Sequence, residues 1–106
     1  MNIYRHGDVL IEAIERPNKL TEVFTGQQYT VAEGEATGHS HVLSTRTKSG
    51  IRVFQDTAGN RYLDITGQAR IRHQEHKELT LEPGFYRVGQ EREYDYFLQE
   101  VRRVVD

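Results

Sequence analysis

Four of the five histidines in this chain fall in two close pairs, His39-Ser40-His41 and His73-Gln74-Glu75-His76. Imidazole nitrogens and carboxylate oxygens form a donor set that suits zinc, iron, manganese or nickel. On a β-strand, residues two apart project from the same face. His39 and His41 would then aim both rings at one point. The second pair adds two imidazoles and the Glu75 carboxylate. His73 and His76 are three apart, so a regular strand turns them to opposite faces, and both reach one ion only across a bulge or a turn. His73 shares parity with Glu75, which gives a second way to pair donors. The candidate metal ligands are His39, His41, His73 and His76, holding a divalent cation. Three histidines, or two with Glu75, leave an open position for water or a small polar substrate, as catalytic metal sites do. A Glu75 that is not a ligand is the candidate catalytic residue, a general base. Neutral imidazoles gathered this closely would also respond to protonation, which makes them repel.

Two further stretches carry chemistry-bearing residues. In His6-Gly7-Asp8, Asp8 is placed to accept a hydrogen bond from a ligand histidine and fix its tautomer. The plainer role of this stretch is an N-terminal turn leading into the first strand. In Gln90-Glu91-Arg92-Glu93-Tyr94, Arg92 is a candidate partner for an anionic substrate and Tyr94 a candidate donor, on what otherwise reads as a solvated face. No nucleophile arrangement stands out: alternation turns Ser40 away from both flanking histidines. Glycine-rich phosphate loops of the Walker or dinucleotide type are absent from the sequence.

The elements that must position these residues read as strands. Val9–Ile14 is apolar and stops at Arg16-Pro17-Asn18. Residues 28–32 are rich in β-favouring types. The stretch 33–38 is a loop delivering the chain into His39, and Val42–Thr45 continues as strand. Ile51–Phe54 and Tyr62–Ile65 form a hairpin around a turn at 56–60, with Ile51 and Val53 on one face and Leu63 and Ile65 on the other strand's matching face. After a turn at 66–68, Ala69, Ile71 and His73 share a face. If that face is interior, His73 points where His39 and His41 point. Residues 77–81 alternate once more, Pro83-Gly84 suits a type II turn, and 85–88 is a strand. The tail beyond Tyr94 fits either a short C-terminal helix or a strand.

Short strands with turn signals about every ten residues predict an all-β, small single-domain β-barrel or sandwich over 1–106. At 106 residues, 28% charged and 36% hydrophobic, the chain can bury one modest core. The net charge of -2 argues against a strong sequence-independent grip on nucleic acid. Only a local strip of Arg46, Lys48, Arg52, Arg70 and Arg72 would favour one, and strand alternation accounts for it equally as solvated outward residues. The chain has no cysteine, which excludes thiolate metal sites, disulfides and cysteine nucleophiles. No membrane-span or signal-like apolar run occurs, so the expected location is the cytoplasm and no membrane contact is expected. A homodimer is a natural way for so small a barrel to cover its edges.

The Gly38-His39-Ser40-His41 element resembles the first metal motif of cupin β-barrels. The cupin resemblance implies a barrel whose His-x-His pair ligates a metal ion, and it carries over to His39 and His41. Ser44, Thr45 and Arg46 stand where cupins place a glutamate. Phe85, Tyr86 and Arg87 stand after Pro83-Gly84, where cupins place a third histidine. Over most of its length the chain also resembles a group of small uncharacterised bacterial and phage proteins, through Arg5-His6-Gly7-Asp8-Val9, Thr37-Gly38-His39-Ser40-His41, His73-Gln74-Glu75-His76, Pro83–Val88 and Gln90-Glu91-Arg92-Glu93-Tyr94. That resemblance implies a prokaryotic or phage origin. The expected function is a cupin-like metal-binding protein, in its enzymatic form acting on a small polar substrate. The alternative is a non-catalytic module whose histidines lie in a protein or nucleic-acid contact surface.

Overall fold

Alternation of buried and exposed residues organises ten strands, seen in a computed structural model that describes residues 3–33, 40–74 and 76–90. In chain order they are β1 (Ile3–His6), β2 (Val9–Ala13), β3 (Thr21–Gly26), β4 (Gln28–Glu33), β5 (Ser40–Thr45), β6 (Ile51–Gln55), β7 (Arg61–Ile65), β8 (Ala69–Arg72), β9 (Leu79–Leu81) and β10 (Gly84–Gln90). They form two sheets. One has six strands in the order β1-β2-β10-β7-β6-β3, and the other has four in the order β4-β5-β8-β9. Every pairing is antiparallel. The all-β expectation holds, and of its two forms the architecture is the sandwich. The C-terminal stretch expected as helix or strand, with Arg92 and Tyr94, lies outside the described residues. No helix among the described residues is long and apolar enough to cross a membrane.

The core is one cluster drawn from both sheets. Val9, Ile11, Ile51, Val53, Leu63 and Ile65 face it from the six-stranded sheet, and Val31, Leu43, Ala69, Ile71 and Leu81 from the four-stranded one. The β6–β7 hairpin has the register its pattern requires, with Ile51 opposite Ile65 and Val53 opposite Leu63. Slipping that register by one residue would expose all four side chains. Removing any one, as in Leu63→Ala, costs about 2–5 kcal/mol.

Two strands add to those read from the pattern. β1 pairs with β2 across the two-residue turn Gly7-Asp8, with His6 opposite Val9. Gly7 takes φ +63, the left-handed first position that a type II′ hairpin turn demands. β3 pairs with β6, and its register shifts between Glu22 and Phe24. That bulge leaves Val23 exposed and erases the alternation by which a strand is recognised. A second shift, between Thr30 and Ala32, brings Ala32 opposite His41.

Candidate functional site

Three separated parts of the chain deliver histidines to one rim of the sandwich. The β1–β2 turn supplies His6 and Asp8. β5 supplies His41, on the same inward face as Leu43. β8 pairs with β5 so that Val42 meets Arg72. The next residues outward, His41 and His73, therefore come together, with ring centroids 4.3 Å apart. The expectation that His73 shares the inward face of Ala69 and Ile71 is met. β8 ends at Arg72, so His73 and His76 sit in the connection to β9. A turn rather than a strand thus allows residues three apart to converge, and their centroids lie 4.7 Å apart.

His6 completes the group. Its ring is 5.1 Å from that of His41, 5.8 Å from His76 and 6.4 Å from His73. His41 and His76 are nearly parallel at 5.9 Å. His6 and His41 are only 3% and 1% exposed, whereas His73 is half-buried and His76 exposed. Gly7 makes the convergence sterically possible. A Cβ there would stand 2.6 Å from His76 Nε2 and 3.0 Å from His41 Cε1. The 73–78 connection is tied down twice. Gln74 Oε1 accepts the Ser40 N–H at 3.1 Å, and the Lys77 carbonyl accepts from His6 Nε2 at 2.9 Å.

The hydrogen-bond chain through the buried pair is short of a proton. It runs from Lys77 O to His6 Nε2 (2.9 Å), from His6 Nδ1 to His41 Nδ1 (2.9 Å), and from His41 Nε2 to Asp8 Oδ1 (3.2 Å). Both ends are acceptors, so three contacts need three protons. Two neutral imidazoles carry one N–H each. Whichever tautomers they take, one contact then sets a lone pair against a lone pair or a carboxylate. Burial is the main force holding His41 below its ordinary pKa. Nearby His73 and His6 add to it, while Asp8 opposes it. Burial likewise dominates the lowered pKa of His6. The Lys77 carbonyl opposes it, and His76 and His73 reinforce it. Burial thus favours the neutral form of both rings, although their contacts are one proton short.

Of the residues singled out from the sequence, His41, His73 and His76 are brought together, and Asp8 stands beside His41 as a tautomer-fixing carboxylate would. His39 and Glu75 lie outside the described residues. Among the described residues, no group of three or more His, Cys, Asp or Glu is arranged so that it could hold a metal ion. The 2.9 Å separation of His6 Nδ1 and His41 Nδ1 is a hydrogen-bond length. Two nitrogens on a tetrahedral zinc stand about 3.3 Å apart, given Zn–N bonds of about 2.0–2.1 Å. Drawing these rings onto one ion therefore requires them to move from the positions seen here. His6 was missed as a member of the cluster, having been read as part of a leading turn. The signal lay in Ile3–His6 and Val9–Glu12 flanking a glycine-containing two-residue turn, the mark of a hairpin that puts His6 on the same sheet face as Ile11.

A β-sandwich whose rim gathers buried and half-buried imidazoles around a carboxylate is thus the class of protein that the fold and site define. The chain matches the family described as Domain of unknown function (DUF8820) over residues 5–91, and it belongs to that family. No curated protein and no solved structure matches it.

Proposed function

We propose that this is a small metal-binding protein of cupin-like character, holding a divalent cation such as zinc, iron, manganese or nickel at the histidine rim. His6, His41, His73 and His76 would be the ligands among the described residues, with His39 the neighbour in sequence that would complete the set. Asp8 orients His41, and Gly7 leaves the space the rings need. The observation that carries the reading is the convergence of four imidazoles from three parts of the chain, two of them buried and one proton short of a satisfied network. A cation bound by His6 and His41 would relieve that shortage, since it would take a ring lone pair that has no proton to share. Neutral imidazole suits that role. In the enzymatic form of this reading, a bound cation would supply Lewis-acid chemistry toward a small polar substrate or water, and Glu75 would serve as the general base. A contact-surface role for the histidines draws no support from His6 and His41, whose rings are buried.

Metal analysis of protein purified without a histidine tag tests this. One equivalent of metal is expected, lost in His41→Ala and reduced in His73→Ala and His76→Ala. A chain that retains no stoichiometric metal, and whose melting is unmoved by zinc, iron, manganese and nickel, would overturn it.

A further inference from the structure

The outward face of the same β5–β8 pair carries a different chemistry. Arg70 and Arg72 alternate outward from β8, next to the outward Ser44 of β5. Two positions along a strand place them about 6.6–6.8 Å apart. Arg46 follows at the end of β5, and together these residues line a groove of about 320 Å³ with Thr47. The backbone that presents Arg46 is held in place. The Thr45 hydroxyl donates to Gln68 O at 2.9 Å, and the Gln27 amide donates to Arg46 O at 3.1 Å. The Arg46 guanidinium has no ion-pair partner among the described residues.

Glu78 shows how this face engages an anion. Its carboxylate bridges the two β8 arginines, with Oε2 2.7 Å from Arg72 Nε and Oε1 3.6 Å from Arg70 Nε. Arg72 remains 62% exposed and Arg70 48%, so both side chains stay accessible to solvent. Three guanidinium charges against one carboxylate leave two positive charges unmatched. Two is the charge of a phosphate monoester near neutral pH. Planar guanidinium forks match phosphate oxygens in pairs, and the Ser44 and Thr47 hydroxyls add donors at the floor. Among the described residues no aromatic ring lines the groove, so these offer nothing for a nucleobase to stack on. Its size is that of a small-molecule site.

We infer that this groove binds a phosphate-bearing small molecule, with Arg46, Arg70 and Arg72 as the charged contacts and Glu78 as an internal carboxylate holding the arginine fork when no ligand is present. The site is distinct from the histidine rim and stands whether or not that rim binds metal.

The test is calorimetric titration of the full chain with pyrophosphate, in EDTA, against chloride at matched ionic strength. Saturable one-to-one binding is expected. Arg70→Ala and Arg72→Ala should each weaken it about tenfold, and Arg46→Ala somewhat less. Glu78→Gln should tighten it, because it removes the competing charge. All four positions are on the surface, and unchanged melting of the variants would show that folding is intact. Absence of binding beyond the chloride control overturns the inference, as does equal affinity in wild type and the arginine variants. So does tighter binding of a single-stranded oligonucleotide than of pyrophosphate, since that marks the face as a nucleic-acid surface.

Discussion

Two polar knots in this sandwich look alike and differ in one respect. In the β6–β7 turn, the Asp56 carboxylate accepts from Ala58 N, Asn60 N, Asn60 Nδ2 and Tyr62 Oη, all at 2.9 Å. Every contact there has one donor and one acceptor. The Asn60 side chain, above all, holds Asp56 below its ordinary pKa, with Tyr62 and the turn backbone adding to it. At the histidine rim, three contacts share two protons. A saturated knot shapes a turn and asks nothing of solution. An unsaturated one leaves a buried polar group in need of a partner, and such groups are found at functional places.

The largest expected effect separates the knots by metal. With free zinc at one hundred times its dissociation constant, the folded state gains about 2.7 kcal/mol. For a domain of this size that raises melting by about 10 °C. His41→Ala should abolish the shift, and Asp56→Ala should lower melting yet leave the shift intact. Differential scanning calorimetry with and without EDTA reads both. If Asp56→Ala also removes the metal response, the two knots are not independent.

Next comes a double-mutant cycle in the metal-free chain. His6→Leu or His41→Leu alone leaves a buried nitrogen facing nothing and costs about 1–3 kcal/mol. The double change removes both halves of the unsatisfied pair and should cost less than the sum, near zero or stabilising. Urea unfolding measures it. Additive losses would mean that the two rings do not interact energetically.

The pH profile sharpens the same contrast. His6 and His41 have folded pKa values below the ordinary 6.5, so the unfolded chain binds protons more readily than the folded one. In EDTA, their neutral state costs nothing above that value, and stability falls as pH drops from 6.5 toward their folded values. Asp56 is also depressed, from an ordinary 3.8, so its contribution is present above 3.8 and lost as pH falls further, through its folded value. Two separate acid steps are expected in stability against pH. The His6→Leu/His41→Leu double should erase the upper step and keep the lower one.

The smallest effects come from the two glycines. Gly7 at φ +63 and Gly59 at φ +88 both occupy the left-handed region. An alanine at either costs about 1–2 kcal/mol in backbone strain. A Cβ at Gly59 meets nothing within 4 Å, whereas one at Gly7 collides with His76 and His41. Gly59→Ala should therefore leave zinc affinity unchanged, while Gly7→Ala should lower it about tenfold. Isothermal titration decides between them.

Legibility from sequence followed the same physics. The β6–β7 hairpin could be read because apolar residues at period two must face one core. The His41–His73 convergence could be read for that reason as well, since Ile71 and His73 share parity. β3 could not, because its bulge breaks the period at Val23. His6 was missed because it precedes Gly7-Asp8, and a turn signal alone does not say that strands flank it. The convergence of His73 with His76 lay beyond pattern reading, since it depends on β8 ending at Arg72.

What the amino-acid order determines here is local: which faces are apolar, where turns fall, and which residue types are able to ligate. What tertiary structure decides is the company each residue keeps. Packing the two sheets together, with β1 folded back on β2, brought histidines 35 residues apart to a 2.9 Å contact in a chain one proton short. No local pattern encodes that proton shortage, because it arises only when distant backbone and carboxylate oxygens close the chain at both ends.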